Sequence, residues 1–269
     1  MNLDLTHVRA KLARAQEHAQ GLDNELRAWI DRKPYSLTEH VNSDSTRYSL
    51  ILRENERAPF QRWTLIASDC LNNFRCALDY LIYTIAVFES GLNPPPHERT
   101  LAFPITDCKT NFDEAVSKGK LGEISKPVRA VVESLQPYNR PHPELALPLL
   151  RILRDLNNTD KHRLLKVTYG AVAEGEFQLE GQHPADGRQF HPITNEGAEL
   201  KDGTEIIAMT CDRPTPNMKW GKINLTIIVT IWHGKREPTA PEHTGQTEVS
   251  ALLELLGEEV RSIIHAFVK

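Results

Sequence analysis

The sequence predicts an α+β protein: a helical bundle with an N-terminal β-hairpin, a C-terminal antiparallel sheet and a closing C-terminal helix. Apolar residues recur at steps of three and four near both ends of the chain, which is the period of a helix. Between the helices, β-branched runs alternate with Gly, Asp and Pro turns. We therefore divide the chain into a helical bundle at 1–164 with its hairpin at 35–57, a β region at 165–240, and a helix at 241–269 that packs back on the bundle.

Composition limits the function classes. The 269 residues are 40% hydrophobic and 25% charged, which is typical of globular proteins. A net charge of -4 argues against wholesale binding to a nucleic-acid backbone, although a local basic patch is allowed. Neither a signal peptide nor an apolar run of about 18 residues is found, so we expect a cytoplasmic protein that does not enter a membrane.

The first helix, predicted at residues 4–32, has the most regular apolar pattern. Its members follow one seam over about four heptads: Leu5, Val8, Leu12, Ala15, Ala19, Leu22, Leu26 and Trp29. Such a seam serves packing within one chain, or it forms a homodimer through residues 4–32. A similar apolar face at 246–268 predicts that the last helix packs on the bundle, against residues 4–32.

The remaining elements follow from breaks and periodicity. Pro34 ends the first helix, and Pro59 closes the hairpin. Further helices are predicted at 61–89, 110–117, 123–135 and 145–163, and strands at 167–169, 176–179, 204–209 and 222–232. The segment around Phe103-Pro-Ile is interpreted as a tie that packs onto the bundle.

Polar residues on the second predicted helix share a face that its core does not explain. The steps of three and four join Asp69, Asn72, Arg75, Asp79 and Tyr83. One interpretation is a solvated face with an Arg75–Asp79 pair one turn apart. The other is a polar groove that presents Arg75 to a ligand.

The fifth predicted helix carries a denser polar group. Arg151, Arg154, Asn158 and His162 step along one face. His162 could exchange a proton near neutral pH, and neighbouring cations could bind an anion or stabilise developing charge on a phosphate. The alternative is a last helical turn whose cations complement the helix dipole.

Other patterns carry little chemistry. His183, His191, Cys211 and His233 match no known ligand spacing, so we expect no metal. The glycines form no phosphate-binding loop, no Gly-x-Ser-x-Gly elbow is present, and we expect no cofactor.

Three segments resemble a widespread group of bacterial proteins that have no established activity. They are Asn72-Asn-Phe-Arg-Cys-Ala-Leu-Asp-Tyr80, Leu135-Gln-Pro-Tyr138 and Asp160-Lys-His-Arg163. The resemblance spans residues 60–165.

The chain also resembles HEPN-type helical bundles, many of which are metal-independent ribonucleases of defence and toxin–antitoxin systems. Their motif is an Arg followed, after four to six residues, by a His. Arg75 has Tyr80 after four residues, whereas Arg154 and His162 have seven residues between them. The resemblance implies a bundle that binds or processes RNA, with Arg75, Arg154, Asn158 and His162 as its candidate catalytic residues.

Two hypotheses follow, and the sequence does not decide between an enzyme and a binding protein. The first is a HEPN-like RNA-processing or RNA-binding protein in which Arg75 and His162 share one polar groove. The alternative is a non-catalytic module that binds a protein partner through the sheet or the heptad helix.

Overall fold

A computed structural model describes residues 3–140, 148–161, 165, 167–173, 179–180, 190–194, 201–214, 219–220, 225–232 and 246–268. These residues form a mixed α+β structure that is mostly helical, which confirms the predicted fold class. The helices are α1 (Thr6–Asp31), α2 (Phe60–Ser90), α3 (Lys109–Ser117), α4 (Lys126–Ser134), α5 (Leu149–Asp160) and α6 (Val249–His265). The strands are β1 (Tyr35–Val41), β2 (Arg47–Glu54), β3 (Val167–Ala173), β4 (Leu179–Glu180), β5 (Phe190–Thr194), β6 (Glu205–Cys211), β7 (Lys219–Trp220), β8 (Leu225–Trp232) and β9 (Gln246–Glu248).

The chain divides into two compact units. The helical unit comprises Met1–Asn24, Gln61–Val167 and Ile231–Lys269. The sheet unit comprises Glu25–Phe60 and Thr168–Thr230. The hairpin that the sequence analysis grouped with the bundle therefore lies in the sheet unit, together with strands from the second half of the chain.

Within the helical unit, α1 and α2 pack antiparallel. The Cys70 thiol lies 3.2 Å from the carbonyl oxygen of Ala15, and Lys11 Nζ lies 3.4 Å from Asn73 Oδ1. The apolar seam of α1 is largely buried here, at Leu5, Val8, Leu12, Ala15 and Leu22. The seam therefore serves packing within one chain, and it does not offer the apolar surface that a homodimer through residues 4–32 would need.

Helix α6 packs on the bundle, where it contacts α5 and, at Gly257, Phe74 of α2. Its expected packing against residues 4–32 stays a prediction. A Cβ atom at Gly257 would stand 3.2 Å from Cζ of the buried Phe74. Arg140 Nη1 forms a salt bridge of 3.1 Å with Glu259. The apolar periodicity indicated that α6 has a buried face, but periodicity does not specify the partner of that face.

Helix α5 begins at Leu149, four residues after the predicted start. Pro148 occupies the position before the first helical residue, where its fixed φ and missing N–H cost least. The predicted members Leu145 and His162 lie outside the described residues.

The sheet unit is built on four antiparallel strands in the order β1-β2-β6-β5. Its core contains Tyr48, Leu50, Ile207, Met209 and Trp220, with Leu37 packed against them. A bulge between Leu50 and Ile51 shifts the pairing of β2 with β6. A further pairing joins β4 and β7. The strands β5, β7 and β9 were not predicted.

Two helical glycines provide a test of the packing. No atom lies within 4 Å of a Cβ built at Gly21, so Gly21→Ala should stabilise the protein by about 0.5–1 kcal/mol through backbone entropy. Gly257→Val should instead destabilise it, by about 1–3 kcal/mol, because the added atoms meet Phe74. Denaturant unfolding of both variants measures the difference, and a gain in stability for Gly257→Val would contradict the placement of α6 on α2.

Candidate functional site

The polar stripe on α2 binds the chain that follows this helix. Arg75 Nη2 lies 2.7 Å from both Asp79 Oδ1 and the carbonyl oxygen of Phe103. Asp79 Oδ1 in turn accepts the backbone N–H of Phe103 at 2.8 Å. One turn further on, the Tyr83 hydroxyl donates to Asn93 Oδ1 at 3.0 Å. Arg75 and Asp79 thus satisfy both backbone polar groups of Phe103.

Gln136 binds the next residues of the same segment from the end of α4. Its side chain is fully buried. Oε1 accepts the backbone N–H of Thr106 at 3.0 Å, and Nε2 donates to the carbonyl oxygen of Pro104 at 2.9 Å and to that of Val132 at 3.0 Å. One buried amide therefore supplies both the donor and the acceptor that an extended segment needs.

Arg154 of α5 reaches the segment from a third helix. Its Nη1 lies 3.4 Å from the carbonyl oxygen of Ile105 and 2.9 Å from Asp107 Oδ2, while Nε lies 2.8 Å from Asp155 Oδ1. Arg151 Nε lies 3.6 Å from Asp107 Oδ1 and 3.7 Å from Asp155 Oδ2. Two arginines and two aspartates thus form one ion-pair network.

These contacts define a continuous feature, residues 103–107, which we call the tie. Phe103, Pro104, Ile105 and Thr106 are buried. Side chains from α2, from α5 and from the end of α4 bind backbone groups of the tie. The interpretation of Phe103-Pro-Ile as a tie on the bundle is confirmed. Arg75 and Arg154, which belong to different polar stripes, both bind the tie. They donate to the carbonyl oxygens of Phe103 and Ile105, which are two residues apart.

The other two candidate residues are not brought into this feature. Asn158 is exposed on α5, and His162 lies outside the described residues. The end of α5 is located by Asp160, whose Oδ1 accepts the Ser68 hydroxyl at 2.5 Å. Ser68 precedes Arg75 by seven residues on α2, a rise of about 10 Å. The proposed sharing of one groove by Arg75 and His162 stays a prediction.

The charges at the tie are compensated. Burial raises the pKa of the Asp79 carboxyl above its usual value, although the neighbouring Arg75 and the Phe103 N–H oppose the shift. Burial lowers the pKa of Arg154, but the hydrogen bonds that it donates to Asp155 and Asp107 outweigh this effect, so the pKa of Arg154 is raised overall. Arg75 and Arg154 each have a carboxylate and a carbonyl partner within the bundle.

The metal-ligand candidates and the helix lengths can be compared with the described part of the chain. Among the four candidate metal ligands of the sequence analysis, Cys211 is buried. His183, His233 and the side chain of His191 lie outside the described part of the structure. No three His, Cys, Asp or Glu side chains among the described residues come together as a metal site. None of the described helices has both the length and the apolarity required to cross a bilayer.

No protein-family model, curated protein or solved structure matches this chain. The resemblances to the bacterial group and to HEPN-type bundles therefore stay predictions.

Sequence reasoning missed Gln136 and Asp107. Gln136 was recognised only as part of the Gln-Pro-Tyr segment that ends a helix. A large amide directly before Pro137 and after the apolar Leu135 was a usable signal, because a buried Gln requires several partners. Asp107 gave no signal, since its partners lie more than 40 residues away.

The central role of Gln136 in holding the tie is open to test. Gln136→Met keeps a long side chain but leaves the Thr106 N–H and the Pro104 carbonyl without their partner, which should cost about 2–4 kcal/mol of unfolding free energy. The matched control Gln16→Met changes an exposed residue of α1 and should stay within about 0.5 kcal/mol. Chemical denaturation measures both, and equal stabilities would show that the tie does not need the amide.

Asp79 predicts a pH dependence of stability. A carboxyl whose pKa is raised on folding contributes most below its unfolded pKa, and that contribution is lost as the pH rises through the folded value. The Asp79→Asn variant has no carboxyl at this position, so it does not lose this contribution as the pH rises. Its unfolding free energy relative to that of the wild type should therefore increase from acidic to neutral pH. Glu114→Gln should show the opposite trend, because Lys118 lowers the pKa of Glu114. Denaturant unfolding across pH measures both, and parallel trends would contradict the burial of Asp79.

Proposed function

We propose that this chain is a non-catalytic protein-interaction module that binds an extended polypeptide segment at the edge of β1. The observation that carries the proposal is the open hydrogen-bonding edge of this strand. β1 pairs with β2 along all seven of its residues, and no other described strand pairs with its far side. An unpaired edge is a template on which a partner adds one more strand.

The direction of the backbone groups on β1 follows from the register. Asn42 N–H donates to Arg47 at 3.1 Å, and Asn55 N–H donates to Pro34 at 2.7 Å. Backbone groups alternate between the two sides of a strand. The N–H groups of Ser36, Thr38 and His40 therefore face β2, which leaves those of Leu37, Glu39 and Val41 on the open edge.

The opposite edge of the same sheet differs. Pro192 pairs with Met209, and Met209 pairs with Tyr48 on the other side. The Cys211 N–H donates to Thr46, so Met209, two residues earlier, also directs its backbone groups towards β2. The nitrogen of Pro192 consequently faces outward, where proline removes a donor from the edge. The described residues of β1 include no proline, so only the β5 edge is blunted in this way.

The side chains of β1 agree with strand addition. The strand reads Tyr-Ser-Leu-Thr-Glu-His-Val, in which three of the seven residues, Tyr35, Thr38 and Val41, are of types with high β propensity, and its last four residues are exposed. Val41 is 42% exposed, although it follows the same strand face as the partly buried Leu37. An added strand would cover these positions.

RNA processing by Arg75, Arg154, Asn158 and His162 is the hypothesis that this proposal replaces as first choice. Arg75 and Arg154 donate hydrogen bonds to groups within the bundle. Their internal role favours the interaction module over an RNA site at these residues. Incubation of the purified protein with total RNA discriminates between the two. Cleavage or tight binding that is lost in Asn158→Ala or His162→Ala, with unchanged melting, would favour the RNA hypothesis.

The edge itself is tested with two adjacent proline variants. A random peptide display library should yield extended, β-prone peptides on the wild-type protein, and Glu39→Pro should lose them with little change in melting temperature. His40→Pro is the contrasting variant: it removes a bond of the β1–β2 ladder and should lower stability by about 1–3 kcal/mol. Peptides that bind Glu39→Pro as well as wild type would contradict binding at this edge.

A further inference from the structure

We infer that the polypeptide segment bound at the β1 edge has a lysine or arginine opposite Glu39, with apolar side chains two residues before and two residues after that position. This inference rests on the proposed function and names the chemistry of its partner. The open backbone groups of an edge strand accept any extended segment, whereas the side chains of that strand select among segments.

Alternate side chains of β1 lie on the face of the sheet that carries its core. Residues that oppose each other in an antiparallel pair share one face. Glu39 opposes the core residue Leu50, and the next alternate residue, Val41, opposes Tyr48 of the same core. Leu37 follows the same alternation and packs against that core. Leu37, Glu39 and Val41 therefore form a row on the core face of the edge strand.

The charges of β1 and β2 are divided between the two faces of the sheet. The carboxylates of both strands, Glu39 and Glu54, follow the core-face alternation. The basic side chains of the two strands follow the other alternation: His40, Arg47 and Arg53. Neither Glu39 nor Glu54 has an ion-pair partner within the part of the chain that the structure describes. The core-face row of β1 thus presents one exposed carboxylate without a counter-charge.

An added strand places three of its side chains beside this row. We expect it to run antiparallel, because β2, β6 and β5 all pair antiparallel and this pairing is the more stable per residue. The backbone groups of Leu37, Glu39 and Val41 point to the open edge, so each residue forms a hydrogen-bonded pair with one partner residue. The Cβ atoms of opposed residues are then about 5 Å apart. These three partner residues are two positions apart, because side chains alternate between the faces.

The row determines which side chains suit these three positions. A basic side chain opposite Glu39 supplies the missing counter-charge, whereas an acidic one would place two like charges together. Val41 is 42% exposed, so an apolar side chain opposite it removes apolar surface from water. An apolar side chain opposite Leu37 extends the contact that this residue already makes with the core. The preferred segment is apolar, any residue, basic, any residue, apolar.

A charge on the inward face of an edge strand has a competing role, which is to guard the edge against pairing with other strands. The two roles predict different results when Glu39 is neutralised. Loss of a guard strengthens the binding of every β-prone peptide. Loss of a selecting charge weakens the binding of peptides with a basic centre and removes the discrimination against acidic ones.

Three synthetic peptides provide the probes. They share the core Val-Thr-X-Thr-Val within Gly/Ser flanks and have Lys, Gln or Glu at X. Fluorescence anisotropy with the full-length protein should give the tightest binding for Lys, with the Glu peptide about three- to tenfold weaker and Gln between them. At about 1 M salt, where the Debye length is about 3 Å, the difference should largely disappear.

Variants of Glu39 test the origin of this preference. Glu39→Lys should reverse the order of the three peptides, and Glu39→Gln should make their affinities nearly equal. The matched control is Glu98→Lys, which makes the same change of net charge at an exposed residue of the helical unit and should leave the order unchanged. Melting temperatures should agree among all four proteins, because both positions are exposed.

The outcomes separate this inference from the proposed function. An order that Glu39→Lys leaves unchanged overturns the inference, as does a Glu39→Gln protein that binds all three peptides more tightly than the wild type. In either case, the proposed function stands as long as peptides bind the wild type and fail to bind Glu39→Pro. A wild type from which neither these probes nor the display library gives binding that Glu39→Pro removes overturns both.

Discussion

The helical unit depends on how the backbone of the tie is hydrogen-bonded. A buried extended segment outside a sheet has no neighbouring strand to satisfy its N–H and C=O groups, and leaving them unpaired costs about 1–3 kcal/mol each. Gln136 supplies one acceptor and one donor to the tie, and Arg75 with Asp79 does the same at Phe103. Because these side chains come from different helices, the tie can be satisfied only when the helices are assembled around it.

This constraint explains why polar residues lie on otherwise apolar helices. A polar stripe beside a buried face binds either a ligand or another part of the same chain, and its periodicity is the same in both cases. The distinction lies in the partner: Arg75 binds Phe103 at a separation of 28 residues, and Arg154 binds Ile105 at a separation of 49. Local spacing contains neither relation. The sequence therefore located the stripes on α2 and α5 but could not assign their role.

The fold, too, could be predicted from the sequence only where the signal is local. The long helices α1, α2 and α6 were found because a 3.6-residue period over many turns is a strong local signal. β5 was missed because Pro192 argues against a strand, although an edge position tolerates it, and two-residue strands such as β7 have no period. β2 pairs with β6, and Arg47 contacts Glu205 at a separation of 158 residues. Local sequence patterns do not contain a pairing over such a distance.

The tie and the β1 edge differ in what satisfies their backbone hydrogen-bonding groups. At the tie, side chains provide every partner that the structure shows for the backbone of Phe103 and Pro104. Along β1, the groups of Leu37, Glu39 and Val41 that face away from β2 have no neighbouring described strand. Water satisfies exposed groups of this kind at little cost, so the edge needs no partner for folding. In the proposed function, a partner strand gains affinity there because it replaces that water with hydrogen bonds to Leu37, Glu39 and Val41 and covers Val41. Pro192 removes one donor from the β5 edge, so a strand added there would have an incomplete ladder.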